Sequence, residues 1–278
     1  MTELREMQAL VQRLWASAPT HPVDFHVGDL AWWNREPEQR VRLWREGGEA
    51  VAWGWLFAPR EVEIAVDPQH PELLEEALDW FEAESEASIL ETAALDADAA
   101  KIEALERRGY RARRGPFFLH LERDLRDLQH PELPDSYRLS QVRRTVDIQK
   151  RVRVQRAAFP STLTEEKYRR LVETWPYRAD LDVVVEDREA AFVAFCLAWL
   201  DDANSVGELE PVGTDPAHSR RGLARAACLE ALARLRKLGA TRAIVYARGD
   251  AGYPAPLRLY RSLGFKATGR RIRFARSR

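Results

Sequence analysis

The strongest constraint in this sequence is an order of segments that occurs in both of its halves. Each half begins with helical periodicity, continues with strand-like apolar runs, and reaches an Asp-Pro turn, an amphipathic helix and later a Gly-aromatic pair. The turns are Asp67–Pro68 and Asp215–Pro216, and the pairs are Gly109–Tyr110 and Gly264–Phe265. The glycine follows the turn proline by 41 residues in the first half and by 48 in the second. An internal duplication explains this order and predicts two related α/β domains.

Periodicity predicts the elements of both halves. The predicted helices are Leu4–Trp15, Val142–Phe159 and Leu223–Leu238, and the predicted strands are Ala50–Leu56, Val62–Val66, Leu181–Val185, Ala191–Leu200, Val206–Thr214 and Ala243–Ala247. Strands interrupted by helices indicate an α/β fold, with a mixed central sheet flanked by helices.

Chain length and proline positions divide the two halves. A chain of 278 residues is long for one core, since domains usually contain about 100–200 residues. Pro131 and Pro134 lack amide donors and stiffen an extended path between the patterned regions. We therefore expect one domain at residues 1–130 and a second at residues 135–278.

Composition excludes several classes of protein. Hydrophobic residues make up 45% of the chain and charged residues 31%, which favours a folded globular protein over a disordered one. No uncharged apolar run approaches the roughly 18 residues of a membrane span, and Glu3 and Glu6 stand where a signal peptide would carry cations. We expect a cytoplasmic protein without membrane association. Cys196 and Cys228 have no Cys or His at metal-ligand spacing, so we expect no metal site.

The segment Pro216–Ala224 carries the strongest chemical signal. It joins a predicted strand to the helix that begins at Leu223, and it contains Arg220, Arg221 and Gly222. A helix amino terminus presents unpaired amides and a partial positive charge, and glycine lets an anion approach the backbone. The turn can therefore bind a pyrophosphate, with cationic cover from the arginines. A solvated helix start would carry the same residues, so the surrounding elements decide between the two interpretations.

Those surrounding elements resemble the GNAT superfamily of N-acetyltransferases. The matching segments are Glu208–Ala224 and Leu257–Phe265, which carry the Asp-Pro turn, Arg-Arg-Gly-Leu-Ala and Tyr-x-x-x-Gly-Phe. The resemblance implies acetyl-coenzyme A (acetyl-CoA) as the cofactor. The cofactor-binding residues that it implies are Val212, Gly213, Thr214, Arg220, Arg221, Gly222, Leu223 and Ala224. Two such domains in tandem are similar to the mycothiol synthase-like acetyltransferases.

Two positions depart from the family pattern. Ser219 stands where the family usually has Gln or Arg, so a side chain that braces the loop is absent. Tyr253 stands where the family commonly has Asn, which removes an amide that often holds the pantetheine arm of the cofactor. The first change bears on affinity more than on the mode of binding.

Acyl transfer to an amine requires a base, and one strand offers two. Glu208 and Glu210 lie two residues apart, so an unbroken strand presents them on one face. The resemblance favours Glu208 as the general base, with Glu210 as the alternate. Both could instead be solvent-facing strand carboxylates, and Pro211 could mark a bulge that separates them.

Tyr260 is the candidate acid. The resemblance implies that it protonates the departing thiolate, and a phenol of pKa about 10 keeps its proton at neutral pH. Leu257, Tyr260 and Leu263 also have the spacing of a packed helix face, so core packing is the alternative. His218 lies in the loop, where a lone histidine is usually solvated, and we do not expect it to be catalytic.

The first half lacks these parts. Its turn has no glycine and carries Glu72, Glu75 and Glu76 where a phosphate would lie, and Leu105 takes the place of Tyr260. We expect this half to be a degenerate, non-catalytic domain that shapes the substrate site.

The leading hypothesis is an N-acetyltransferase that moves the acetyl group of acetyl-CoA to a primary amine of a small molecule by direct attack. The alternative is a catalytically silent acyl-CoA-binding or regulatory protein, which Ser219 and Tyr253 favour. A nucleic-acid binder ranks lowest, because the 16 Lys or Arg of residues 216–278 lack interleaved aromatic platforms. We therefore expect a small-molecule amine as the partner and no nucleic acid.

Overall fold

The structure, a computed structural model, describes residues 2–18, 22–34, 40–143 and 145–278. Within these residues, twelve strands form one mixed sheet and eight α-helices pack on it. No helix of this described part is long and apolar enough to cross a membrane. The predicted α/β class, a mixed sheet flanked by helices, is confirmed.

The elements alternate along the chain. The helices are α1 (Glu3–Ser17), α2 (Val27–Trp33), α3 (Leu73–Glu84), α4 (Ala99–Arg107), α5 (Ile148–Ala158), α6 (Glu165–Val172), α7 (Leu223–Lys237) and α8 (Ala255–Ser262). The strands are β1 (Arg40–Glu46), β2 (Glu49–Ala58), β3 (Glu61–Val66), β4 (Ile89–Leu95), β5 (Arg111–Ala112), β6 (Phe118–Asp124), β7 (Arg138–Gln141), β8 (Asp182–Glu186), β9 (Phe192–Asp201), β10 (Val206–Thr214), β11 (Arg242–Arg248) and β12 (Lys266–Ser277).

Each half repeats one local arrangement. An antiparallel meander, β1 to β3 or β7 to β10, leads through a helix into a parallel strand. The connecting helix is α3 before β4 and α7 before β11. The helix predicted from Val142 begins only at Ile148, because the Asp147 carboxylate accepts the Arg143 amide at 3.0 Å and forms a turn there.

The second half has a core on each face of its sheet. Small side chains of β9, including Ala194 and Cys196, pack under α7, while Phe195 and Trp199 face α5 and α6. All ten residues of β9 are buried. This explains why its sequence is continuously apolar rather than alternating.

The two halves exchange strands. The strand order is β1-β2-β3-β4-β12-β6-β11-β10-β9-β8-β7. β6 therefore pairs with β11 along its whole length, although it precedes the prolines that separate the halves. β12, the last strand of the chain, pairs in turn with β4 of the first half. A division at residues 130–135 cuts through both of these hydrogen-bonded ladders.

The exchange predicts that the two halves assemble as separate chains. We expect residues 1–130 and 135–278, expressed together, to copurify in equal amounts, because each supplies a strand that the other needs. Leu121→Pro, in the middle of β6, should abolish copurification, whereas His130→Pro, at the exposed end of the 1–130 chain, should not. If the 135–278 chain folded alone and did not bind the 1–130 chain, this result would contradict the strand exchange.

Candidate functional site

The parallel strands at the centre of the second half separate partway along their length. Within the described residues, β10 pairs with β11 over Val206–Glu208 and no farther. β10 continues beside β9, with a register shift after Leu209. Pro211, which has no amide hydrogen, lies within that shift. The strands therefore enclose a wedge beyond Glu208, and Glu208 lies at its apex.

The loop after β10 leaves open space at the amino terminus of α7. The Asp215 carboxylate accepts the Ala217 amide at 2.9 Å and shapes the turn Pro216–His218. Gly222, at the N-cap of α7, has a φ of 78°, and a Cβ there would meet no atom within 4 Å. The first-turn amides of a helix lack intrahelical acceptors. This open cradle fits a pyrophosphate, the group that the sequence predicts here.

Tyr137 connects this loop to the start of the second half. Arg221 Nη1 donates to Tyr137 Oη at 2.8 Å, and the Tyr137 hydroxyl forms a hydrogen bond with His218 Nδ1 at 3.0 Å. The tyrosine thus braces the loop from 81 residues away along the chain. Sequence reasoning missed it, because a single tyrosine next to a strand carries no signal. Arg220, the other predicted loop cation, is exposed with a φ of 59°.

A cavity of about 210 Å³ lies beside the apex of the wedge, and both halves line it. We call it the acceptor cavity. Its wall consists of Asp24, Phe25, Asp29, Leu30, Trp33, Trp55, Phe57, Glu63, Phe118, Glu208, Glu210, Tyr246 and Arg271. Most of these residues come from the first half, so the first half provides most of the wall.

The structure brings both predicted base candidates to this cavity. Glu208 is 1% exposed, whereas Glu210 is half-buried. The register shift lies between Leu209 and Val212 and so includes Glu210, yet both carboxyl residues line the cavity. The backbone of Glu210 is held by Trp199, whose Nε1 donates to the Glu210 carbonyl at 2.6 Å.

The neighbour of Glu208 is a neutral histidine. His26 Nδ1 lies 3.1 Å from Glu208 Oε2, but it also accepts the Gly28 amide at 3.1 Å. His26 Nε2 meets the Val206 carbonyl at 3.2 Å and must donate to it. Burial lowers the pKa of His26. The ring therefore carries its one proton on Nε2 and gives Glu208 no hydrogen bond from Nδ1.

Glu208 and Asp29 form a buried carboxyl pair. Burial, the first cause, raises the pKa of Glu208 to about 8, and the charge of Glu210 adds to the rise. Burial and the charge of Glu208 raise the pKa of Asp29 well above its usual value. Asp29 therefore keeps its proton and donates to Glu208, while its Oδ2 accepts the His26 amide at 2.9 Å. Sequence reasoning missed Asp29 and His26, because they lie about 180 residues before Glu208.

Tyr260 lies on α8 within the core of the second half. It is 6% exposed and meets Phe265 edge to face, with ring centroids 5.8 Å apart. Burial raises its pKa well above 10, and the nearby Glu210 and the thiol of Cys228 add to this. The phenol is therefore protonated at neutral pH. It lies outside the acceptor cavity wall, on the side of α7 where Cys228 packs.

The first half contains a second wedge without an anion cradle. β3 and β4 pair at Glu61–Glu91, and a cleft of about 630 Å³ lies where they separate. The buried Lys101 donates from Nζ to the Ile64 carbonyl at 3.0 Å in the wall of this cleft. Asp67 and Asp98 also line it. A phosphate there would meet carboxylates instead of a glycine turn.

Comparison with known proteins identifies relatives of the second half. Residues 149–265 match the model of the acetyltransferase (GNAT) family. A mycothiol acetyltransferase of Saccharomonospora viridis is 34% identical over 110 residues, which are 37% of this chain and 35% of that protein. The match thus spans about a third of the length of this curated relative.

Solved structures extend the likeness to the whole chain. A tandem GNAT protein from the clavulanic acid biosynthesis pathway superposes with a TM-score of 0.71 at 15% identity, over 99% of this chain and 94% of that one. A GCN5-related N-acetyltransferase from Sphaerobacter thermophilus superposes with a TM-score of 0.65 at 17% identity, over 98% and 91% of the two chains. These likenesses confirm the predicted fold class of two tandem GNAT-like domains.

The loop at Gly222 predicts one coenzyme A site per chain. Asp and Asn both tolerate the left-handed backbone that this position requires. We expect Gly222→Asp to weaken binding of coenzyme A by about tenfold or more relative to Gly222→Asn, a difference of about 1.4 kcal/mol or more. The reason is that only aspartate places a negative charge against the pyrophosphate. Calorimetry measures affinity and stoichiometry together. Equal affinities in the two variants, or two sites per chain, would contradict the assignment of the Gly222 loop as the pyrophosphate site.

Proposed function

From the premise that this chain belongs to the GNAT superfamily of acetyltransferases, we propose that it transfers the acetyl group of acetyl-CoA to a primary amine of a small molecule. The observation that carries the proposal is the position of Glu208. A buried carboxyl at the apex of a strand wedge lies between a cradle that fits pyrophosphate and a cavity that could hold the acceptor. A protein that only bound acyl-CoA would not need that carboxyl.

The cofactor site consists of the wedge and the loop. Val212, Gly213 and Thr214 continue β10 along the wedge, where their backbone groups can bind the amides of the pantetheine arm. The pyrophosphate would bind at the amides of Gly222, Leu223 and Ala224, with the guanidinium groups of Arg220 and Arg221 nearby. Bound acetyl-CoA supplies a thioester whose carbonyl carbon accepts the amine.

Glu208 acts as the general base in this proposal. The amine nitrogen must lose a proton as the C–N bond forms, and a base works best when its pKa lies near the operating pH. The raised pKa of Glu208, about 8, meets this requirement. Asp29 donates a hydrogen bond to Glu208 and fixes its orientation. Glu210 lines the same cavity and is the alternate base.

Tyr260 acts as the general acid. When the C–S bond breaks, the thiolate takes up a proton, and the protonated phenol of Tyr260 supplies it. Burial keeps that proton in place at neutral pH. Tyr260 belongs to the core cluster that includes Cys228 of α7 and does not line the acceptor cavity, which supports a role on the cofactor side of the wedge.

The first half shapes the acceptor site in this proposal. It supplies Asp24, Asp29 and most of the aromatic wall, while the carboxylates of its own wedge, Asp67 and Asp98, oppose a cofactor there. We propose domains at residues 1–130 and 135–278 that exchange β6 and β12 across their boundary.

The pH dependence of the rate identifies the base. Because Glu208 acts when ionised and its pKa is about 8, we expect kcat to rise with pH and to level off above about pH 8. Glu208→Gln should lower kcat by roughly 100- to 10,000-fold. Glu210→Gln should keep kcat but move the midpoint to lower pH, because the Glu210 charge raises the pKa of Glu208. Thiol release against pH measures all three enzymes. Loss of rate in Glu210→Gln with retention in Glu208→Gln would make Glu210 the base.

The role of Tyr260 is tested by removal of one oxygen. We expect Tyr260→Phe to lower kcat by about 100-fold or more, the range of general-acid catalysis. The affinity for coenzyme A should stay unchanged, since the ring still packs on Phe265. Tyr110→Phe, which removes a phenol oxygen from the core of the first half, is the matched control. A normal rate in Tyr260→Phe would assign this tyrosine to core packing alone. Coenzyme A binding without turnover in the wild type would favour the silent binding protein.

A further inference from the structure

The acceptor cavity carries more negative groups than positive ones. Among the described residues, its wall has five carboxyl groups and one guanidinium, that of Arg271. Burial raises the pKa of Glu63, as it does for Asp29 and Glu208. An ionised carboxyl group repels an anion, and a protonated one carries no positive charge that could bind it. The cavity therefore attracts a cation rather than an anion.

Arg271 is already paired with two carboxylates. Its Nε donates to Asp24 Oδ1 at 2.7 Å, and its Nη2 donates to Glu63. Tyr246 completes the cluster, since its hydroxyl donates to the Asp24 carbonyl at 3.1 Å. The guanidinium thus lies in a group of net negative charge. A carboxylate on the acceptor would be repelled by Asp24 and Glu63 instead of being bound by Arg271.

The rest of the wall is aromatic. The rings are Phe25, Trp33, Trp55, Phe57 and Phe118. Phe57 meets Trp33 and Trp55 edge to face, with centroids 5.1 Å and 5.6 Å apart. Trp33 and Phe118 are 39% and 37% exposed, so the rings reach solvent. Such rings bind flat apolar groups and the cations attached to them.

The polar groups of the wall bond mainly to one another. Asp24 and Glu63 bind Arg271, and Asp29 binds Glu208. A polyhydroxylated acceptor would have to displace these bonds to satisfy its own hydroxyls. The cavity, about 210 Å³, is also smaller than the roughly 300–1,000 Å³ of pockets for drug-sized ligands. The internally bonded polar groups of the wall and the small volume of the cavity together favour a small acceptor with few polar groups.

We propose that the acceptor is a small arylalkylamine without a carboxylate, whose ring lies among the five aromatic side chains and whose amine reaches Glu208. This inference rests on the proposed acetyl transfer and specifies its substrate class. Asp24 and Glu63 then serve a purpose beyond folding, because they neutralise Arg271 and exclude amino acids.

A panel of five amines tests the class. With saturating acetyl-CoA, and corrected for the fraction of free amine, 2-phenylethylamine should exceed butylamine and glucosamine in kcat/KM by about tenfold or more, or 1.4 kcal/mol. Phenylalaninamide and phenylalanine differ only in the charge of one group, and phenylalanine should be the poorer by a similar factor. If butylamine, glucosamine or phenylalanine equals 2-phenylethylamine, the proposed class is wrong.

Two matched pairs of variants test the wall. Glu63→Gln removes the negative charge of one partner of Arg271 and should reduce the discrimination against phenylalanine. Glu61→Gln, which removes the charge that pairs with Arg273 at 3.1 Å outside the cavity, should not. Trp33→Ala should raise KM for 2-phenylethylamine without changing KM for acetyl-CoA, whereas Ile89→Ala, at an exposed residue outside the wall, should change neither. Unchanged selectivity in Glu63→Gln and an unchanged KM in Trp33→Ala would overturn the inference.

Calorimetry with 2-phenylethylamine alone separates this inference from the proposed function. Acetylation of another amine class, with no binding of 2-phenylethylamine, would overturn the substrate class and leave acetyl transfer in place. If 2-phenylethylamine binds, Trp33→Ala weakens that binding, and no amine is acetylated, then acetyl transfer is overturned. The preference of the cavity for an arylalkylamine would still be supported. Neither binding nor acetylation would overturn both.

Discussion

The separation of β10 from β11 after Glu208 is the constraint on which the rest of the site depends. A parallel ladder that stops leaves backbone groups without partners on both strands. Each strand is supported on its outer side, because β9 follows β10 through Thr214 and β6 follows β11 throughout. The inner edges remain free to bind a ligand that carries amides. The wedge and Glu208 at its apex thus follow from one interruption of the sheet.

Strand exchange makes this wedge a property of the whole chain. β6 of the first half supports β11, and β12 of the second half lies against β4. The same exchange places Arg271 of β12 beside Glu63 of β3. Helix α2 is then held over β10, where His26 and Asp29 meet Glu208. Neither half contains the acceptor cavity without the other, although the loop that fits pyrophosphate lies entirely in the second half.

The buried carboxyl pair lowers the stability of the fold at the pH where Glu208 would act as a base. Asp29 and Glu208 have raised pKa values in the folded protein and lose their protons near pH 4 when the chain unfolds. Their stabilising contribution is therefore present at acidic pH and is lost as the pH rises through about 8, the folded pKa of Glu208. A carboxylate acquires a pKa near neutrality when it is buried away from any cation. Such burial also lowers the free energy of unfolding. Such a pair is typical of a functional site.

Local patterns determined the elements and the cofactor loop. Asp215 and Pro216 set the turn, Gly222 permits the left-handed N-cap, and the apolar spacing of α7 sets its helix. These signals lie within about 25 residues of one another, so the printed sequence contains them in full. The two-residue spacing of Glu208 and Glu210 likewise indicated a shared face, and both residues line the acceptor cavity. The roles of these two residues and of Tyr260 are still predictions.

Only the tertiary structure decided which distant residues meet. The sequence indicated a division near Pro131 and Pro134, but nothing in β6 or β12 shows that they pair across it, because an apolar strand carries no mark of its partner. His26, Asp29 and Tyr137 have ordinary local contexts and become notable only beside Glu208 and Arg221. By itself the sequence determined the loop, the strand faces and the candidate bases, since these depend on neighbours along the chain. The acceptor cavity and the raised pKa of Glu208 depend on burial by the other half, which no local pattern encodes.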